Sequence, residues 1–298
     1  MKLSIIISTY NRATSLMRTL ESVVQQSADP AVWECVVVNN ASTDDTAAQC
    51  QSFIDSHPSF NIRLVEEPKQ GLSHARNCGI RASKGAYIAF IDDDETISKE
   101  FVDAYIELFT EHGAFAAAGA VEPCYDGGRP RWMSKYPEQM IANPIDLGKK
   151  ICRIPSDITP AGGNMAFNRE VFTLYGDFDP ALGRRGKTLL GGEENDLFAR
   201  IRALGERVYY VPKAKVLHHI STEKLTPEYF DALAYGVGCS KRLRAEKEGS
   251  LKFLYADERK KQHITNLLAI FYIFTFRPVK AKWLLKMRKG ISRGVFNK

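Results

Sequence analysis

Between residues 3 and 121, short apolar runs alternate with longer amphipathic stretches, and few folds accept that pattern. The runs LSIIIS (3–8), WECVVV (33–38), NIRLVE (61–66), AYIAFI (86–91) and AFAAAGAV (114–121) read as strands. Helical patterns lie between them: about 13–26, the capped stretch STDDTAAQCQSFI, GLSHARNCGIRAS, and 98 to about 111. Nearly continuous apolar strands are those buried on both faces, so the alternation predicts an α/β fold with a mostly parallel sheet flanked by helices. Such sheets bind ligands beyond the carboxyl ends of their strands. Here those ends are all polar: Ser8 to Arg12, Asn39 to Asp44, Glu66 to Gly71, and Asp92 to Glu95. Four polar ends in succession predict a site for an extended polar ligand.

The fourth end is the most demanding. Asp92, Asp93, Asp94 and Glu95 follow a buried strand without a break. Neighbouring carboxylates repel, and a strand end beside a core solvates them poorly. Either they form a solvated turn that starts the helix at Ser98, or a divalent cation gathers them. Asp44 reads as a helix cap.

The chain has 298 residues, 44% hydrophobic and 26% charged, which marks a globular protein with one large α/β domain or a domain plus an appendage. Six scattered cysteines form no CxxC pair and read as free thiols of a reducing compartment. The apolar run in MKLSIIISTYNR is too short for a signal peptide, and no run approaches a membrane span. The formal charge of +6 is uneven: residues 240–298 hold 16 Lys/Arg against 4 Asp/Glu. The remainder is net acidic, which separates two functional regions. Residues 122–160 read as a linking stretch, either a loop over the site or a surface insertion.

Five motifs in order carry a resemblance: IIISTYNR, VVVNNASTDDT, KQGLSHARNCGI, FIDDDE and GGEENDLFAR. Together, over roughly residues 3–220, they resemble the inverting family 2 glycosyltransferases, which have the nucleotide-sugar-binding GT-A fold. The resemblance implies that Asp92 contacts the donor ribose or sugar, with Asp93 beside it. It implies that Asp94 binds Mn²⁺ or Mg²⁺ through the donor diphosphate, with His218 of LHHIS as a further ligand. Hard cations suit oxygen ligands completed by phosphate. His219 is the weaker candidate of the pair.

Thr9, Tyr10 and Arg12 fall where the family holds the base and phosphates, although strand-end packing and a surface cation are the plain alternatives. Asn39 stands where the family usually has an Asp on the uracil ring. Its carbonyl can still accept from a ring N–H. Arg76 either approaches the base or diphosphate or faces solvent on its helix. Glu194 matches the catalytic base, with Glu where Asp is usual, beside Glu193 and Asp196. A run of acids at a helix start is the alternative, but it leaves Gly191-Gly192 unexplained. Gly163 and Asn164 look like an acceptor-side loop, or equally a turn into the next strand.

The resemblance therefore implies a catalytic domain over 1–222, with a nucleotide half to about 121 and an acceptor half from 122; it does not cover the tail, whose charge marks a basic helical extension over 223–298. It implies an enzyme that moves sugar from a nucleotide diphosphate, UDP by preference, to a hydroxyl of a glycan or lipid-linked glycan in surface polysaccharide or lipopolysaccharide assembly. A nucleotidyltransferase would want a Gly-rich, basic phosphate loop after the first strand, and TYNRATS is not one. A non-catalytic sugar-nucleotide-binding module would lose the base region, and Glu194 argues against that.

The tail mixes bases with Trp, Leu and Met, and NLLAIFYIFTF (266–276) is apolar on nearly every face. It suits an interfacial helix on an anionic membrane, peripheral on the cytoplasmic face, or else a helical subdomain packed on the catalytic part. Nucleic acid would also fit the charge, but no recognition module is present.

Overall fold

The structure is a computed structural model and describes residues 1–186 and 188–296. Its elements in chain order begin with β1 (Leu3–Thr9), α1 (Ala13–Val23), β2 (Trp33–Asn39), α2 (Thr46–Ser56), β3 (Ile62–Glu66) and α3 (Leu72–Ala82). They continue with β4 (Tyr87–Asp92), β5 (Glu95–Ile97), α4 (Phe101–His112), β6 (Ala116–Tyr125), α5 (Lys135–Ile141), β7 (Cys152–Arg153) and β8 (Asn164–Asn168). The last are α6 (Glu170–Tyr175), α7 (Glu193–Ala203), β9 (Val208–Ile220), α8 (Pro227–Lys247), α9 (Leu251–Phe274) and α10 (Pro278–Phe296).

The strand order is β3-β2-β1-β4-β8-β6-β9-β5, with β7 paired to β9. The β3-β2-β1-β4 half is parallel, as the alternation predicts. The half beyond β4 carries antiparallel pairs, so the sheet is mixed. Register aligns the polar ends: Asn39 lies opposite both Thr9 and Glu66, and Ser8 lies opposite Asp92. Because β8 runs against β4, with Ile91 opposite Asn164, it brings Gly162 and Gly163 to the same rim.

The helix expected from Ser98 starts at Phe101. Glu95 to Ile97 are taken first by β5, which pairs with His218 to Val216 of β9. Asp92 therefore ends β4, Asp93 and Asp94 form the turn and Glu95 opens β5, so the four acids make a strand–turn–strand unit rather than a helix start.

The chain divides into two compact units. The first comprises Met1–Pro123, Pro144–Ala181 and Glu193–His219, and holds the main apolar core around Ile5, Val37, Phe90 and Phe167. The second comprises Cys124–Asn143, Leu182–Gly192 and Ile220–Lys298. Its own core joins Met133 and Ile141 to Phe230, Leu284 and Met287, and Trp132 stacks on Trp283 with centroids 3.9 Å apart. Residues 124–143 thus pack with the C-terminal helices, not with the rest of the segment 122–222 expected to form one acceptor half. The reason is the apolar surface that Trp132 and Met133 share with α8 and α10. All six cysteines are free thiols.

Candidate active site

The rim residues are tied loop to loop. Asn11 takes a left-handed φ of 52°, and its Oδ1 accepts from Thr43 N–H at 2.7 Å. Asn40 donates to the carbonyls of Glu67 and Lys69 and accepts from Gly71 N–H. Asp44 Oδ1 accepts from Thr46 N–H at 3.1 Å, but the cap position of α2 is held by Asp45, one residue later than expected. The first three strand ends are therefore held as one platform by amide side chains.

In the acid cluster the three aspartates differ. Asp92 keeps 41% of its side chain exposed, and its backbone N–H donates to Glu95 Oε2. Asp93 turns inward, where Thr9 Oγ1 donates to its Oδ2 at 2.8 Å and Arg12 to its Oδ1 at 3.1 Å. Burial pushes the Asp93 carboxyl up to about 6, against the pull of Arg12. Asp94 Oδ2 accepts from Arg12 at 2.6 Å, while its Oδ1 lies 3.6 Å from His218 Nε2. His219 is turned to Thr96 Oγ1 at 3.0 Å, so the two histidines have separate neighbours.

Thr9 and Asp93 were expected to touch the donor. Their hydroxyl and carboxylate are instead engaged with each other and buried, which makes them the clamp beneath the site. Arg12, 35% exposed, bridges Asp93 and Asp94 and is positioned to meet further negative charge. Tyr10 is half-buried just beyond β1.

Arg76 does not face solvent. It is buried at 2% and donates to Glu193 Oε1 at 2.7 Å, Gly162 O at 3.0 Å and Asp92 Oδ1 at 3.4 Å. Its guanidinium also lies over Phe178, 5.5 Å from the ring centre. Its guanidinium is engaged with these three partners, and its structural effect is to join two acidic motifs far apart in sequence. Glu193 is buried too, and its Oε2 has no hydrogen-bond partner among the described residues.

Gly192, at φ 100°, leads into α7, whose first turn carries Glu193, Glu194 and Asp196. Glu194 is half-buried, and burial followed by the charge of Glu193 pushes its carboxyl up to about 8. A carboxylate tuned to that range is suited to accept a proton near neutral pH. Asp196 is spent on Arg200 of the same helix, at 2.9 Å.

Two acceptor-side expectations are corrected. Asn164 is fully buried: it accepts from Tyr105 Oη at 2.6 Å and donates to Ala120 O and Ala214 O. It clamps β8 to β6 and β9 and has no face left for a sugar. At Gly163 a Cβ would lie 2.4 Å from Glu95 Oε1, so this glycine makes room for a buried carboxylate, not for acceptor.

Asn39 is also committed. Its Nδ2 donates to both oxygens of Glu66, at 3.1 and 2.9 Å, and its Oδ1 accepts from Ser42 N–H. The carboxylate presented at this edge is Glu66, which is exposed. In the sequence Glu66 stands only as the start of a polar strand end and Glu95 only as the last of the four acids, neither with a role of its own. A signal existed for Glu66: an acid at the end of the strand that follows an unexpected Asn.

A cation is tested by the donors that converge. Asp94 Oδ1 and His218 Nε2 offer an oxygen and a nitrogen, mostly buried and 3.6 Å apart. Among the described residues no group of three or more His, Cys, Asp or Glu is arranged to hold a metal. The pair fits a cation that draws its remaining ligands from phosphate oxygens.

Sheet order and the carboxyl-end rim are those of a GT-A fold. The mannosyltransferase PcManGT from Pyrobaculum calidifontis, solved in complex with GDP-Man and Mn²⁺, superposes with a TM-score of 0.64 at 18% identity, covering 100% of this chain and 88% of that one. The family model described as Glycosyl transferase family 2 matches residues 4–175, and the chain belongs to that family. It is 25% identical over 281 residues to the glucosyl-dolichyl phosphate glucuronosyltransferase of Haloferax volcanii, covering 92% of this chain and 85% of the relative. It is 27% identical over 250 residues to the succinoglycan biosynthesis protein ExoM of Rhizobium meliloti, covering 83% and 76%.

Proposed function

We propose that the protein transfers a sugar, with inversion, from a UDP-sugar to a hydroxyl of a glycan or lipid-linked glycan in cell-surface polysaccharide or lipopolysaccharide synthesis. The reading rests above all on Arg76, whose guanidinium joins Asp92 of the donor rim to Glu193 beside the candidate base. That bridge is a reason for donor and base motifs to sit in one electrostatic network. The kinds of glycan handled by the named relatives support the acceptor class.

In this reading the exposed Asp92 receives the ribose or sugar hydroxyls. Glu66, oriented by the Asn39 amide, accepts from the ring N–H of the base, supplying the charge that position 39 lacks. Arg12 faces the diphosphate. Asp94 and His218 would hold Mn²⁺ or Mg²⁺, in keeping with the Mn²⁺ of the superposed mannosyltransferase. A bound cation supplies positive charge to the departing diphosphate.

Glu194 takes the proton of the acceptor hydroxyl as its oxygen attacks the anomeric carbon opposite the diphosphate. Attack from that face inverts configuration and needs no covalent intermediate. Residues 1–222 would carry this chemistry, with the C-terminal helices as an extension.

Thermal unfolding with UDP, GDP, CMP and dTDP, each with and without Mn²⁺, tests the donor site. A ligand of the native state at a hundredfold excess over its Kd stabilises by about 2.7 kcal/mol. The expected result is a shift with UDP that needs Mn²⁺. No shift with any nucleotide refutes the donor site; a larger shift with GDP refutes uracil.

A further inference from the structure

The second unit leaves a large apolar surface in water. On α9 the inward face is Thr265, Leu268, Ala269 and Tyr272, which are buried or packed on the core of this unit. The opposite face repeats the spacing with Leu267, Ile270, Phe271 and Phe274, all exposed. Positions i, i+3, i+4 and i+7 form one stripe of a helix, so α9 carries two apolar stripes and buries one.

The exposed stripe runs into the turn before α10. There Phe274 is 78% and Phe276 94% exposed, and Val279 follows in the first turn of α10. Phe276 also takes a left-handed φ of 56°. A bulky residue in that region is unfavourable, and nothing in water repays its exposure.

The charge around this tip has one sign. Residues 259–298 hold eleven Lys/Arg and no Asp or Glu. Arg277, Lys280 and Lys282 flank the apex, and none has an ion-pair partner among the described residues. Farther along α10 the cations are used within the unit: Arg288 pairs with Glu258, and Arg293 with Asp231.

We propose that the α9–α10 tip, from Leu267 to Lys282, inserts its exposed apolar stripe into the interface of an anionic phospholipid bilayer. The apolar side chains enter the acyl boundary while Arg277, Lys280 and Lys282 meet lipid phosphates. A second copy of the chain is the poorer occupant, because it would set two uncompensated basic rims against each other. The tip lies on the bilayer and does not cross it: no helix among the described residues is long and apolar enough to span. The inference stands on the helical hairpin and does not require the transferase reading.

The test is flotation of the full chain with vesicles of phosphatidylcholine alone or with 30 mol% phosphatidylglycerol, without donor or acceptor. The expected result is binding to the anionic vesicles, at least tenfold weaker on neutral ones. Binding should also fall at least tenfold in F274S/F276S and in R277Q/K282Q. These side chains are exposed, so both variants should keep the parental Tm. If a variant does not fold, hydrogen exchange of the parent answers instead, with slowed exchange over 267–279 expected on adding anionic vesicles. No vesicle binding, unchanged exchange at the tip, equal binding by folded variants, or a dimer that buries the tip in place of lipid overturns the proposal.

Discussion

Replacing Asn39 by Asp installs the residue usual for the family, yet here it should damage the protein. Asn39 Nδ2 lies 2.9 and 3.1 Å from the two oxygens of Glu66. Asn39→Asp removes both hydrogen bonds, worth about 1–2 kcal/mol together at this half-buried edge. It also sets two carboxylates about 3 Å apart, adding on the order of 1–6 kcal/mol between water-like and near-surface screening. Proton uptake sets a ceiling, because raising a carboxyl from about 4 to 7 corresponds to about 4 kcal/mol. The net loss at pH 7 is then about 2–4 kcal/mol.

At roughly 2 °C per kcal/mol for a chain of this size, Tm should fall by about 4–8 °C at pH 7. The deficit should shrink towards pH 4, where the pair shares a proton. N39D/E66Q reverses donor and acceptor and should recover most of the parental Tm, whereas E66Q alone should weaken UDP binding. Thermal unfolding of the four proteins at two pH values decides the matter. An N39D variant as stable as the parent at both pH values, with no rescue in the double variant, would refute the reasoning.

Glu194→Gln should retain the UDP-induced Tm shift and lose transfer by at least a hundredfold; parental turnover in a sugar-transfer assay would remove Glu194 as base. In the parent, kcat/KM should rise with pH up to about 8 and then level, because the ionised carboxylate is the active form. The same carboxyl binds its proton more tightly folded than unfolded, so it lowers stability as pH rises from 4.5 to about 8. E194Q lacks that loss, and its Tm relative to the parent should be higher at pH 9 than at pH 4. Arg76→Ala leaves the buried Glu193 without its cation and should cost about 3–5 kcal/mol in denaturant unfolding, with Arg76→Lys intermediate. Asn164→Ala strands Tyr105 Oη and two carbonyls and should cost about 3–5 kcal/mol, while turnover per folded molecule stays near parental.

The parallel half of the sheet was legible because its strands are nearly unbroken β-branched and apolar runs, each followed by a helical stretch. The antiparallel half was not. Glu95 to Ile97 is three residues long and finds its partner at 216–218, so nothing local separates it from a helix start. The acid motifs were readable as chemistry, but their wiring was not: Arg76 meets Glu193 across 117 positions, a pairing fixed only by the fold. Asn164 misled for a related reason. An Asn after two glycines resembles a polar loop, and only three-dimensional packing shows its amide used up between strands. The Trp132–Trp283 stack likewise assigns residues 124–143 to the C-terminal unit, a grouping no composition shift announces.

Arg12 gives the acid cluster a counter-charge of its own. Its guanidinium already bridges Asp93 and Asp94, so the turn can close during folding without waiting for an ion from solution. If the proposed cation site is right, folding does not depend on it, and a chelator should stop transfer without lowering Tm. On the reading proposed above, Asp94 would exchange Arg12 for a cation, and Arg12 would turn towards the diphosphate.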